Sequence, residues 1–299
     1  MFLINLLIPI LLMSTPTDSI PDNPLTKKGA TLQKLSGEFS FTEGPTSDAE
    51  GNVYFTDQPN DRIMKWSVDG QLTTYMQPAG RSNGMFFDHK DRLWSCADAD
   101  NELWIIDKDK KKETLVVKEY EGKRLNGPND VWVTKKGVAY ITDPFYKRDW
   151  WKHTEQAIDI QGVYLVSKDH KTLTRVIDDF EKPNGIVGTP DNKKLYVSDI
   201  GAGKIYHYKI NKDGSLSEKT LLCEERSDGM TIDEKGNVYI TNSNGVTAYS
   251  PEGKKIVTIP TGEGWTANVC FGGKNHSTLF ITASKGFYSI EMNVQGVKP

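Results

Sequence analysis

The sequence predicts an all-β chain: a six-bladed β-propeller with four-stranded antiparallel blades, its ring closed by an N-terminal strand. Two observations point there. One frame of residues recurs six times, and β-branched and aromatic runs alternate throughout with Gly, Asp, Asn and Lys turns. Aromatics make up 10% of the 299 residues, and Gly (26) and Pro (14) are spread along the whole length, a pattern of short strands rather than long helices.

The frame opens on an acid or amide, runs through a short apolar stretch, turns, and closes on a second apolar stretch. Its copies are EGPTSDAEGNVYFTD from Glu43, NGMFFDHKDRLWSCA from Asn83 and NDVWVTKKGVAYITD from Asn129. NGIVGTPDNKKLYVSD from Asn184, DGMTIDEKGNVYITN from Asp228 and NVCFGGKNHSTLFITA from Asn268 follow. Successive starts lie 40, 46, 55, 44 and 40 residues apart, and each closing residue comes 14 or 15 positions after its opening one. NG and DG also mark two-residue hairpins, but every copy has its own turn about seven residues later. The dipeptide therefore begins the first strand.

A third apolar stretch follows each copy (RIMKWSV, ELWIIDK, GVYLVSK, KIYHYKI, GVTAYSP, GFYSIEM), and a fourth follows all but the last. Units of this length with four strands are propeller blades. The sixth copy lacks its outer strand, while ATLQKLSGEF at residues 30–39 stands unclaimed before the first. That piece is expected to complete blade six and remove its exposed edge. Residues 26–299 are thus expected to form one domain. Ahead of it, residues 1–25 read as a signal peptide and leader. The apolar run at residues 2–13 is too short to span a bilayer, which needs about 20 residues. Export to the periplasm or beyond is the expectation.

Charge excludes some partners. The net charge is −3 with 26% charged residues, so no basic field invites nucleic acid, and no membrane span is expected. Cys96, Cys223 and Cys270 are odd in number and widely spaced, and read as small buried apolar residues. The oligomeric state is not legible.

Function enters through the opening position. First strands line the axial channel of a propeller, so Glu43, Asn83, Asn129, Asn184, Asp228 and Asn268 are expected to form a ring. Two acids converging there need a counter-charge. A hard divalent cation supplies one, with carboxylates and amide oxygens as an all-oxygen shell. Calcium is favoured; magnesium, manganese and zinc are the other candidates, and the lack of His and Cys in the ring weighs against zinc. Closing residues Asp57, Asp143 and Asp199 are expected outside the ring, either orienting its amides or capping strand ends.

These motifs resemble the family of gluconolactonase and regucalcin (senescence marker protein), on its bacterial gluconolactonase-like branch. EGP at Glu43, RLNGPNDVWV around Asn129, TDPFY at Asp143, KPNGIVGTPDNKKLYVSD around Asn184 and SDGMTID at Asp228 carry the likeness, in this order and spacing. The resemblance implies a metal-dependent hydrolase opening a small-molecule lactone. It implies Glu43, Asn184 and Asp228 as metal ligands, Asp228 also as proton acceptor, and Asn129 beside the metal for water or substrate. The ring amides Asn83 and Asn268 are placed with Asn129. Regucalcin carries a substrate-binding arginine two residues before that asparagine, where Gly127 stands here.

The longest insertion, at residues 144–161 (PFYKRDWWKHTEQAIDIQ), reads as a lid carrying Tyr146, Trp150, Trp151 and His153. Two further functions fit the same ring: an organophosphate or aryl-ester hydrolase, and a non-catalytic propeller plugged by calcium.

Overall fold

The computed structural model describes residues 20–298. The apolar run at residues 2–13, read as a signal segment, lies outside them. Six four-stranded antiparallel sheets form a ring, each sheet running in chain order from the axis outward in blades one to five. The innermost strands are Thr42–Ser47, Ser82–Phe87, Val131–Val133, Pro183–Gly188, Met230–Ile232 and Thr266–Gly272.

Blade six is completed from the other end of the chain. Gln33–Ser36 pairs with the third strand of that blade, Gly286–Glu291, in the register Gln33↔Ser289 and Lys34↔Tyr288. The N-terminal strand thus covers the edge that Gly286–Glu291 would otherwise expose and gives blade six its fourth strand. Ordered packing begins earlier than residue 26: Leu25 is buried in blade six, and Thr26 bridges Met292. Among the described residues the sole helix is a three-residue turn at Gln58–Asn60, and no helix is long and apolar enough to cross a membrane.

The core lies between blades and is built from one repeated position. Three residues before each closing residue stands an aromatic: Tyr54, Trp94, Tyr140, Tyr196, Tyr239 and Phe280, all buried. Burying such rings supplies much of the inter-blade energy, at roughly 25 cal/mol per Å² of apolar area. Three of them are tied to the turn before them. Asp48 accepts from Tyr54 Oη (3.3 Å), Asp88 from Trp94 Nε1 (3.0 Å) and Asp233 from Tyr239 Oη (3.0 Å). The same aspartates accept backbone N–H groups two and four residues on, as Asp233 does from Lys235 and Asn237 at 2.9 Å each. One acid thus closes the turn and fixes the aromatic. Asp233→Ala strands four donors, the Lys235 and Asn237 backbone N–H groups, the Asn237 side-chain amide and the Tyr239 hydroxyl, and is expected to cost about 1–3 kcal/mol. Urea denaturation checks this, as a lowered midpoint at unchanged slope.

Cys96 and Cys270 are buried and Cys223 half-buried, all three free thiols, as their strand positions led one to expect.

Candidate functional site

The ring residues sit at or just before the start of the innermost strands, where the backbone is held both by the second strand of the same blade and by the neighbouring blade. Asn129 N donates to Thr142 O and Asp228 N to Thr241 O, both at 2.9 Å. Gly84 N reaches across to Asn129 O, and Gly229 N to Ala267 O, both at 2.8 Å. These equivalent bonds define the ring as Glu43, Asn83, Asn129, Asn184, Asp228 and Ala267. Asn268 is therefore one residue past the ring, a correction to the reading from spacing: the first two strands of blade six carry one more rung, Gly272↔Thr278, than those of blade one, so the ring residue lies further from the closing Ala283.

The position after the ring is Gly44, Gly84, Gly185 and Gly229 in four blades, and Asp130 and Asn268 in the other two. Space dictates this. A Cβ on Gly84 would lie 2.4 Å from Asp130 Oδ1, and one on Gly229 would lie 2.0 Å from Asn268 Cγ. Asp130 and Asn268 fill the axis beneath the ring, where Asp130 accepts from Val131 N (2.9 Å) and Ile186 N (3.3 Å). Asn268 Nδ2 donates to Glu43 Oε2 at 3.3 Å. Asn268 thus supports Glu43 from below and does not line the cavity above.

That cavity has a volume of about 330 Å³, within the roughly 300–1,000 Å³ of small-molecule sites. Glu43, Asn83, Asn129, Asn184 and Asp228 form its floor, and Gln58, Tyr146, Arg148 and Trp265 its walls. Gly44 N donates to Glu43 Oε2 at 2.8 Å, and Trp265 Nε1 to Asp228 Oδ2 at 2.5 Å. Asn184 Nδ2 donates to Tyr146 Oη at 2.9 Å, which leaves its carbonyl oxygen for the cavity. The side-chain amides of Asn83 and Asn129 make no hydrogen bond among the described residues, although both residues are buried.

Electrostatics set these groups against one another. Burial and then the nearby Asp228 charge push Glu43 well above the usual carboxylate range. Burial also raises Asp228, whose remaining surface faces the cavity, while Trp265 and Asn184 pull it back down. Asp130 is pushed up to about 7, chiefly by burial. Two carboxyls in one cavity, with the Asp130 carboxyl beneath them and two amides without partners beside them, fit a hard divalent cation. Among the described residues no three His, Cys, Asp or Glu side chains assemble as a ligand set, so a metal held here draws on amide oxygens.

The closing aspartates do something else. Asp57 accepts from Ser40 N (2.9 Å) and Arg62 Nε (2.9 Å), Asp143 from Gly127 N (2.7 Å) and Asn126 N (2.9 Å), and Asp199 from Glu181 N and Lys182 N (3.0 Å each). Each braces the loop leading into its own blade. They are strand-end caps and touch no ring amide, which corrects the reading of them as orienting groups.

The insertion at residues 144–161 crosses from blade three onto blade two. Its anchor is Asp98, which sequence reasoning missed: buried, it lies 3.0 Å from Arg148 Nε and accepts from Gln58 Nε2 at 3.1 Å. The carbonyl of Asp98 accepts from Trp151 Nε1 at 2.5 Å. Of the residues expected to face substrate, Tyr146 does. Trp150 and Trp151 pack behind the wall, and His153 accepts from Arg124 Nη1 at 2.7 Å, away from the cavity. Trp151 also explains Gly127, because a Cβ there would lie 2.9 Å from the indole Cη2. The ring of Trp151 occupies the space a side chain at residue 127 would need.

Comparison with known proteins places these features in context. The family described as SMP-30/Gluconolactonase/LRE-like region matches residues 41–285. A gluconolactonase of Zymomonas mobilis is 28% identical over 89% of this chain and 82% of its own. The solved structure of a gluconolactonase from Xanthomonas campestris superposes with a TM-score of 0.83 at 25% identity, covering 93% of this chain and 98% of that one. A regucalcin from Agrobacterium tumefaciens, described as a calcium-binding protein, has a TM-score of 0.73 over 90% of this chain and 96% of that one. At 17% identity, this last likeness bears on the fold alone.

Proposed function

The chain belongs to the SMP-30/Gluconolactonase/LRE-like family, and on that premise we propose that it opens lactone rings with a divalent cation, calcium foremost, held on the ring. The observation that carries this reading is the pairing of Glu43 and Asp228 in one cavity with the unpartnered amides of Asn83 and Asn129. Glu43, Asn184 and Asp228 would hold the ion, an all-oxygen set that suits calcium. When bound, such an ion supplies Lewis-acid polarisation of a carbonyl oxygen.

The protein's own groups account for the rest. Asn129 and Asn83 present amides to a water or to the lactone. Asp228, with Oδ2 fixed by Trp265, keeps Oδ1 to take the proton of the attacking water. The water oxygen bonds to the lactone carbonyl carbon, the ring C–O bond breaks, and the proton held on Asp228 returns to the departing alkoxide. A carboxylate that also holds a cation is a weak base, and the activated ester of a lactone tolerates one. Tyr146, Trp265 and Arg148 enclose the substrate and limit bulk water.

The test is a panel of a sugar lactone, an aliphatic lactone and a phosphotriester, each assayed after chelation and after calcium re-addition. Calcium-restored turnover of a lactone is the expected result. Phosphotriester turnover alone, or calcium binding with no turnover of any substrate, would overturn it.

A further inference from the structure

The wall of the cavity carries a charge that lactone opening does not require. Arg148 lines the cavity, and its Nε lies against Asp98 Oδ2 at 3.0 Å. Its two terminal nitrogens donate to no acceptor among the described residues. The guanidinium is clamped between rings, with centroids of Tyr146 and Trp150 each 5.5 Å from its carbon. It is thus held in place from behind and from both sides, with its outer edge open.

Two more cations flank the same rings. Lys182 Nζ stands 4.5 Å from the centroid of Tyr146, and the Arg81 guanidinium 4.6 Å from that of Trp150. Asp98 balances Arg148, and a divalent ion would balance Glu43 and Asp228. Lys182 and Arg81 are then the charges left over beside these two rings. A planar fork of free N–H groups matches a carboxylate or another oxyanion, and a neutral hydroxyl uses it poorly.

We propose that Arg148, fixed by Asp98 and the flanking rings, makes this site selective for lactones bearing an anionic substituent, with Lys182 and Arg81 attracting them to the mouth. The inference rests on the lactonase reading above and narrows its substrate class. Arg148 grips the substituent, Asp98 positions Arg148, and the reacting carbonyl stays on the ring amides.

A matched pair of γ-lactones tests this: D-glucaro-1,4-lactone, which carries a free carboxylate, and D-glucono-1,4-lactone, which carries a hydroxymethyl group there. Wild-type kcat/KM is expected to favour the carboxylate by about tenfold or more, and added salt should shrink the ratio. Arg148→Met should lower kcat/KM for the carboxylate lactone by about 10–100-fold, mostly through KM, against a few-fold for the neutral one. Arg148→Lys should fall between. Because Arg148→Met strands the buried Asp98, the pair Asp98→Asn with Arg148→Met provides a folded control whose selectivity should match the single variant.

Equal rates on the two lactones in the wild type, or equal losses on both in Arg148→Met, would overturn the proposal while leaving the lactonase reading intact. If the wild type opens neither lactone, that reading fails, and calorimetry still decides the anion site. Glucarate is titrated with matched calcium in cell and syringe, so its own chelation cancels between variants. Wild-type binding at least about tenfold tighter than Arg148→Met supports the fork, and equal binding rejects it.

Discussion

Asp228→Asn is expected to reduce calcium-dependent lactone turnover by about 10²–10⁴-fold, the range for loss of a positioned general base. The substitution is nearly isosteric, and its side-chain oxygen still accepts the Trp265 indole N–H that Asp228 Oδ2 accepts now. It therefore removes charge and basicity with little change of shape. Glu43→Gln is the informative partner. It removes the other carboxylate of the cavity but not the group assigned to the proton, so it should weaken calcium affinity and recover turnover as calcium is raised. Asp228→Asn should not recover. Stopped assays across calcium concentrations read both. A second readout separates mechanism from damage: in chelated protein, Asp228→Asn should melt higher than wild type near neutral pH, because one of two opposed carboxyls is gone. Full turnover in Asp228→Asn would remove it from the role of proton acceptor.

The ring that these variants probe was largely legible in the sequence, because a propeller repeats its geometry along with its residues. Glu43, Asn83, Asn129, Asn184 and Asp228 could be aligned by eye, and all five reach one cavity. Blade six misled for a definite reason. Its first two strands carry one more rung, so counting back from the closing residue stops at the polar Asn268 where hydrogen-bond register stops at Ala267. A signal was available: four copies carry Gly after the ring position, and the two that do not, at Asp130 and Asn268, supply the side chains beneath it. The aspartates of the turns were equally readable as a D-x-x-x-[NR]-x-[YW] pattern, though their bond to the aromatic needs a three-dimensional path.

What the sequence could not show is where the long insertion goes. Asp98 lies about fifty residues before Arg148 and Trp151, in a different blade, and nothing periodic links them. Trp265 similarly reaches Asp228 from the segment between blades five and six. The aromatic content of the insertion made Trp150, Trp151 and His153 conspicuous, yet rings are as useful for packing a loop down as for meeting substrate. Only contacts decide which, and Trp151 spends its indole N–H on the Asp98 carbonyl.

Calcium should stabilise this protein more strongly as pH rises, and the reason lies in the same three carboxyls. Asp130 is held near 7 by burial, against 3.8 for an ordinary aspartate, and Glu43 and Asp228 are raised too. A group whose folded pKa exceeds its unfolded one binds more protons in the folded state. Its stabilising contribution is complete below about pH 4 and disappears as pH climbs through the folded value. Chelated protein should accordingly lose thermal stability between about pH 5 and 8, at up to about 1.4 kcal/mol per pH unit for each titrating group. A bound divalent ion favours the ionised carboxylates and removes that loss. The calcium-induced rise in melting temperature should therefore grow across this window, on the order of 5 °C or more for a domain of this size. Calcium binding near pH 6 should also release protons, measurable as a dependence of calorimetric heat on buffer ionisation. A melting shift that is flat across the window, with no proton release, would mean that the ion sits elsewhere than among Glu43, Asn184 and Asp228.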